Sequence, residues 1–473
     1  MLTEQPVRAA MTRDSAALND PQAIRRVILA SSLGTVFEWY DFYLYGALAV
    51  FFGELFFPPG NDRAALLASL ATFGAGFGVR PLGALVFGRI GDIVGRKYTF
   101  LVTIVTMGLA TALIGFLPTY ASIGLWAPVL LVALRLAQGL ALGGEYGGAA
   151  TYVAEHVPDA QRGYYTSFIQ TTATLGFFLS LAVIGACRYG FGAEAFRAWG
   201  WRVPFIASFA LLGVSLYIRL RMKESPLFAK LKTAGRLSKN PILESFGNRN
   251  NLKYVLLALF GATAGQGVVW YTGQFYALTF LQKPLGLDWP IAYALVAIAL
   301  GLGTPFFIFF GRLSDRIGRK RIMLTGCLLA AVTYVPLFMA MTALANPDGQ
   351  KLVTALPLLN AAGLVAILFV QMIYVAMVYG PIAAFLVELF PTSIRYTSMS
   401  LPYHLGNGWF GGFLPLIATA VTTSPWVIGH LGGFAMYAGL LYPIAICLLT
   451  VAIGGWLLPE TKDRRLDDET TIS

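Results

Sequence analysis

The sequence predicts an all-α integral membrane protein in which twelve transmembrane helices form two six-helix parallel repeats. Three observations predict it. The 473 residues are 57% hydrophobic and 12% charged, with a mean hydropathy of +0.67, which is about half the charge usual for a soluble chain and more apolar surface than a soluble core buries. Apolar runs long enough to cross a hydrocarbon core of ~30 Å as a helix, about 20 residues each, can be counted twelve times. Finally, three short stretches recur about 230 residues apart.

In order along the chain, a polar tail at 1–26 carries Arg8, Arg13, Arg25 and Arg26. Span 1, at 27–52, is too long for a signal-peptide core and ends at PPG rather than at a small-residue cleavage site, so it is read as retained. Spans 2 to 6 follow at 64–87, 98–117, 126–150, 164–187 and 201–221, completing an N-terminal half at 27–221. The longest polar stretch, 222–252, contains KESPLFAKLKTAGRLSKNP and reads as a linker. The C-terminal half, 253–458, holds spans 7 to 12 at 253–280, 290–311, 321–343, 353–386, 397–422 and 430–458, and a polar tail occupies 459–473. No heptads follow Glu460, so no coiled coil is expected there.

Basic residues gather in the N-terminal tail, the loops after spans 2, 6 and 8 and the C-terminal tail, while the loops after spans 3 and 11 hold none. Because Lys and Arg near helix ends favour the cytoplasm, both termini are expected there. The formal net charge of +11 then follows from topology, and no nucleic-acid partner is needed to explain it. Cys187, Cys327 and Cys447 lie in apolar runs at no motif spacing, so neither a disulfide framework nor a metal site is indicated.

The recurrences test the two-half architecture. GRIGDIVGRK at 88–97 returns as GRLSDRIGRK at 311–320, AEHVPDAQR at 154–162 as VELFPTSIR at 387–395, and WYDFY at 39–43 as WYTGQFY at 270–276, with offsets of 223, 233 and 231 residues. Parallel repeats of this kind place a substrate site near the bilayer midplane, between the halves.

With G-x-x-x-D-x-x-G-R-K after spans 2 and 8, RLAQG in span 4, the E-x-x-P-x-x-x-R loops, ESP at 224–226 and PETK at 459–462, residues 25 to 460 resemble the major facilitator superfamily. Within it, FEWYDFYLYG, GVRPLG, GRIGD and GGEYGG are similar to the metabolite:proton symporters, which include permeases for α-ketoglutarate, citrate, shikimate and proline or betaine. The resemblance implies a cytoplasmic latch made by Arg89, Asp92, Arg96, Glu155 and Arg162 in one half and by Arg312, Asp315, Arg319, Glu388 and Arg395 in the other. Read from the residues alone, the same charges set topology, and Asp92 suits the positive end of a helix.

Away from span ends, the charges inside the membrane are Arg80, Arg135, Glu38, Asp41 and Glu145, all in the first half. Each costs about 2.5 to 3.5 kcal/mol to insert, so function is the default reading of intramembrane charge. Arg80 beside Pro81 could instead snorkel, Arg135 could form a structural ion pair, and Glu145 could serve either structure or function. Glu38 and Asp41, three residues apart, share a helix face that Tyr45 continues. Two carboxylates in a low dielectric raise each other's proton affinity, which makes FEWYDFY a proton site; nothing in the chain fixes which of the two titrates. Arg135, Gln138, Leu142 and Glu145 fall on one face of span 4.

The resemblance implies that spans 1, 4, 7 and 10 line the cavity and that Arg135, the arginine of RLAQG, belongs to proton coupling. Arg80 is then the candidate for a substrate carboxylate, which guanidinium binds bidentately. Candidate wall residues are Tyr40, Tyr43, Gln138, Gln266, Trp270, Tyr271, Gln274, Gln371, Tyr374 and Tyr379, with His404 and Asn407 behind them. Aromatics at helical spacing serve packing as readily as binding.

No G-x-x-x-x-G-K-[ST] loop, nucleophile triad or metal spacing appears, so neither a pump, an enzyme nor a cofactor is expected. The sequence predicts a monomeric symporter of a bacterial inner membrane, importing a small organic acid such as α-ketoglutarate or citrate with a proton. A proline, betaine or shikimate type of permease is the alternative, since an aromatic cavity can hold a quaternary ammonium by cation–π contact.

Overall fold

The computed structural model describes residues 21–93, 96–144, 146–221, 241–391 and 394–466, with backbone alone at 21–27, 29–31, 88–93, 96–100, 152, 218, 221 and 241. Among them the chain is nearly all helix; one isolated bridge, Leu287 to Val353, ties together two loops.

Among the described residues, eight helices are long and apolar enough to cross a membrane: Asp62–Phe87 (span 2), Trp126–Thr151 (span 4), Asp159–Phe191 (span 5), Arg249–Gln282 (span 7), Trp289–Ile317 (span 8), Arg319–Ala345 (span 9), Leu358–Leu389 (span 10) and Pro425–Leu457 (span 12). Of the other four expected spans, 1, 6 and 11 are interrupted, and span 3 is a shorter apolar helix among the described residues. Span 1 runs through Pro21–Ala47 and resumes at Ala49–Phe56, with its charges inside. Span 3 is Arg96–Phe116. Span 6 follows a 47° bend between Ala193–Gly200 and Arg202–Tyr217. Span 11 is built from Arg395–Leu405, a π-helical turn at Gly406–Gly412, and Leu414–Thr422. Spans 5, 8 and 9 extend past the apolar runs because charged residues such as Arg162, Asp315 and Arg319 continue the helices beyond the hydrocarbon. Residues 222–240 of the expected linker lie outside the described residues, and its end is helical, as Pro241–Gly247 and the start of span 7.

Glycines set the packing. A Cβ on Gly139 or Gly143 of span 4 would collide with the carbonyls of Gly76 or Arg80 in span 2, so these two helices meet backbone to backbone. Gly176 of span 5 seats span 1, with Tyr40 N and Val36 O each 2.8 Å from a Cβ placed there, and Gly267 and Gly406 do the same for spans 7 and 11. The halves meet along two seams. Spans 5 and 8 approach at Gly163 and Gly311, and spans 2 and 11 at Phe77 and Gly408.

Both ends of the seam are shut. At the end bearing the charged loops, Asp315 accepts hydrogen bonds from Gly163 and Tyr164 N, each at 2.8 Å. At the other, apolar end, the Tyr293 hydroxyl donates across the seam to the Ala47 carbonyl. The structure is an occluded state.

Candidate functional site

Span 2 bends at Val79, between Asp62–Gly78 and Arg80–Ile93. Pro81 has no N–H for the carbonyl of Phe77. Gly408 of span 11 lies against that carbonyl, 2.7 Å from a Cβ built on it, and Trp409 Nε1 donates to the next one, Gly78 O, at 3.1 Å. Arg80 opens the helix after this break and is 0% exposed. Its guanidinium carbon stands 4.3, 4.8 and 5.0 Å from the ring centres of Phe77, Phe42 and Trp39. None of its three nitrogens has a hydrogen-bond partner among the described residues.

Arg80 lines a cavity with Glu38 and Trp39 of span 1, Tyr146 of span 4, Gln170 of span 5, Tyr379 of span 10, and Tyr403 and His404 of span 11. Toward the apolar end it is roofed by aromatic rings: Tyr43 stacks 5.0 Å from Trp39 and 5.1 Å from Trp270, and Tyr271 meets Phe77 edge to face at 5.0 Å. Toward the charged end the rings of Tyr146 and Tyr403 stack at 3.4 Å, and the hydroxyls of Tyr379 and Tyr403 are 2.6 Å apart. About 10 Å³ of room remains, enough for about one water. That is too little room for an organic solute.

The two acids of span 1 face span 6. Glu38 Oε1 accepts from Arg219 Nη2 at 2.6 Å, with both side chains buried, and Asp41 Oδ1 accepts from the Ser208 hydroxyl at 2.5 Å. Of the pair, only Glu38 lines the cavity, and its Oε2 is buried with no hydrogen-bond partner among the described residues. Arg135 is not brought to either acid. It donates to the Phe42 carbonyl at 3.1 Å and to Gln138 Oε1 at 2.7 Å, and Gln138 in turn donates to Thr111 at 2.6 Å. The Tyr45 hydroxyl donates to the Ser69 carbonyl at 3.0 Å. Glu145 lies outside the described residues.

The expected wall residues separate in the same way. Tyr43, Trp270 and Tyr271 belong to the aromatic roof. Tyr40 turns to span 6, donating to the Pro204 carbonyl at 2.8 Å. Gln266 and Asn407 exchange hydrogen bonds at 3.1 and 2.9 Å, Tyr374 accepts from Thr333 at 3.1 Å, and Gln371 Nε2 points at Met341 Sδ, 3.5 Å away. Gln274 is buried with neither amide atom partnered among the described residues. Sequence reasoning missed Arg219, Ser208, Tyr146, Gln170 and Tyr403. Tyr146 had a signal, its place within GGEYGG; Arg219 had none, because RLRMK reads as the basic edge of a loop.

At the charged end, Glu388 is the hub. Arg162 reaches it from the other half at 2.8 Å, and Arg319 donates to it at 3.3 and 3.1 Å and to Asp315 at 2.6 Å. Thr461 donates to it at 2.7 Å, and Glu460 accepts from the backbone N of Arg319 at 2.8 Å. Arg395 approaches Glu155 across the seam at 3.8 Å, and Arg312 lies 6.0 Å from the Tyr164 ring. The side chains of Arg89, Asp92 and Arg96 lie outside the described residues.

Comparison with known proteins agrees with this architecture. The family model described as Major Facilitator Superfamily matches residues 31–413. Escherichia coli relatives include the inner membrane metabolite transport protein YhjE, 37% identical over 88% of this chain and 92% of its own, and the shikimate transporter, 34% identical over 90% and 94%. The proline/betaine transporter of the same organism is 32% identical over 99% of this chain and 90% of its own. A crystal structure of a D-xylose-proton symporter shares the fold at a TM-score of 0.68, covering 95% of this chain and 100% of its own, at 19% identity.

Proposed function

From the premise that the chain belongs to the major facilitator superfamily and is a multi-pass transporter rather than an enzyme, we propose that it imports, together with a proton, a small organic solute bearing one carboxylate. One observation carries this reading. Arg80 is a fully buried guanidinium with no hydrogen-bond partner among the described residues, on the wall of the cavity between the halves. An uncompensated buried charge costs several kcal/mol, so the site is built for an anion that arrives later.

A single carboxylate fits better than two or three. The other buried arginines of the first half are engaged, Arg135 with Gln138 and Phe42, Arg219 with Glu38. This favours a monocarboxylate or a zwitterion over α-ketoglutarate and citrate. Shikimate, proline and betaine, the solutes named for two relatives, each carry one carboxylate. The rest of such a solute meets Trp39, Tyr146 and Tyr403, whose faces suit a cationic nitrogen, and Gln170 and His404, which suit hydroxyls.

Glu38, the acid of span 1 that lines the cavity, carries the proton in this reading, and alternating access comes from the halves rocking about the two seams. A bacterial inner membrane with both termini in the cytoplasm is part of this reading, and the excess of basic residues at one end supports it. The test is uptake of a labelled panel of mono-, di- and tricarboxylates and betaines at two pH values, with Arg80→Lys and Arg80→Ala alongside. One charge-assisted contact is worth ~1.5 to 3 kcal/mol, so Arg80→Ala is expected to weaken binding of the true substrate roughly ten- to hundredfold. Arg80→Lys keeps the charge but loses the planar fork, and falls between. Uptake that ignores an uncoupler, or an Arg80→Ala variant with wild-type affinity, overturns the reading.

A further inference from the structure

We infer that Arg219 of span 6, and not Arg135 of span 4, is the positioning residue that makes Glu38 surrender its proton at the charged end of the molecule. The inference rests on the reading above and adds to it a residue and a direction. Its basis is placement. Arg219 is 7% exposed and holds Glu38 Oε1 at 2.6 Å, while Arg135, to which the family resemblance gives the coupling role, holds a backbone carbonyl and an amide.

Glu38 stands between two cations with different tasks. Oε1 is on Arg219, and Oε2 is buried without a hydrogen-bond partner on a cavity wall that also carries Arg80. The other groups near the cavity are Asp41, one turn along span 1 and held by Ser208, His404 of span 11, and the hydroxyls of Tyr146, Tyr379 and Tyr403. A close pair with Arg219 requires the carboxylate form, because protonation removes the charge that makes the contact short. A solute carboxylate on Arg80 places a second negative charge in the cavity, and like charges favour one bound proton. Solute and proton therefore load together, opening the pair. When the charged end opens and the solute leaves, the Glu38 carboxylic acid gives its proton to water on that side, and the carboxylate closes again on Arg219.

Arg219 lies two residues from the end of span 6 at Arg221, on the side to which the proton must go. Release is thereby tied to one face of the membrane. Asp41, on Ser208 and off the cavity wall, is left as a helper of local packing.

The test compares Arg219→Gln, Arg219→Lys, Glu38→Gln and the double variant Glu38→Gln/Arg219→Gln in proteoliposomes, reading pH-driven accumulation and solute exchange separately. Without its counter-ion Glu38 keeps its proton, so Arg219→Gln is expected to lose accumulation by at least about tenfold while retaining exchange, and Arg219→Lys to recover part of the accumulation. Because Arg219 acts through Glu38, the double variant exchanges no worse than Glu38→Gln alone. Should Arg219→Gln accumulate normally while Glu38→Gln does not, the role of Arg219 falls and the proton site stands. If both accumulate normally, the proton site itself falls. Arg219→Gln that loses exchange as well as accumulation, at wild-type melting temperature and with no recovery by Lys, also overturns the inference.

Discussion

Span 1 carries Glu38 and Asp41 where span 7, 231 residues on, carries Val269 and Thr272, and it carries Tyr43 where span 7 has Gln274. The frame around these positions is the same in both halves: a glycine of span 5 admits span 1, and glycines of spans 7 and 11 admit each other. The duplication preserved how helices approach and changed what they hold. Among the described residues of the membrane core, buried amides occur in both halves but buried charge in the first, so the halves act as a charged arm and a neutral one. At the charged end both halves contribute charge, Arg162 and Glu155 from the first and Asp315, Arg319, Glu388 and Arg395 from the second.

The largest expected effect breaks the shared frame. Gly139→Leu drives a side chain into the Gly76 carbonyl, while Gly185→Leu meets open space, with nothing within 4 Å of its Cβ. The first is expected to lose about 4 kcal/mol or more, enough to abolish the folded monomeric peak in detergent chromatography, and the second to elute like the parent. Equal behaviour of the two would mean that spans 2 and 4 are not held at backbone distance.

Next is the latch. Asp315→Asn keeps one acceptor oxygen but loses the charge that joins Gly163 N, Tyr164 N and Arg319. Weakening charged hydrogen bonds worth ~1.5 to 3 kcal/mol should move the population toward the state open at the charged end by roughly ten- to hundredfold. The rate of alkylation of a cysteine at buried Ala150, in a background without Cys187, Cys327 and Cys447, reports this. An unchanged rate would reduce the Asp315 contacts to helix capping.

Within the charged arm, Glu38→Gln and Asp41→Asn sharpen the division between coupling and packing. Glu38 lines the cavity and Asp41 does not. Glu38→Gln is expected to lose accumulation yet keep exchange. Asp41→Asn, which retains an acceptor for Ser208, is expected to retain accumulation and to reduce its rate a few-fold, as for the loss of about 1 kcal/mol. Accumulation lost in Asp41→Asn and kept in Glu38→Gln would exchange their assignments.

The sequence made the frame legible because each apolar run is long, and because three motifs recur at offsets agreeing to within about ten residues; both signals survive without tertiary knowledge. Pairing was not legible. Spacing put Glu38 and Asp41 on one helix face, but whether that face met Arg135 or Arg219 depends on which span packs there, and hydropathy is blind to that. Arg80 stands out in the sequence as a lone charge beside a proline, and the structure puts it on the cavity wall just after the helix break at Val79. Tyr40, Gln266 and Tyr374 are candidates because the resemblance implies that spans 1, 7 and 10 line the cavity, and each makes a hydrogen bond to a neighbouring helix.

The smallest expected effect concerns the neutral arm. Gln274 buries a whole amide with neither its oxygen nor its nitrogen partnered among the described residues. Leaving such groups unsatisfied costs ~1 to 3 kcal/mol, and a leucine of similar size removes the cost, so Gln274→Leu should raise the melting temperature of the occluded protein. If the amide was retained because it meets the solute once the halves part, the same change should raise KM about two- to tenfold, the loss of one neutral hydrogen bond of ~0.5 to 1.5 kcal/mol. The accumulation ratio at saturating solute should not move, because no charge of the coupling arm is touched. A variant with higher melting temperature and unaltered KM would make Gln274 a packing residue and leave the second half without a ligand on span 7. A lowered accumulation ratio would instead mean that the two arms are not separable, and that the charge asymmetry between the halves does not confine coupling to the first.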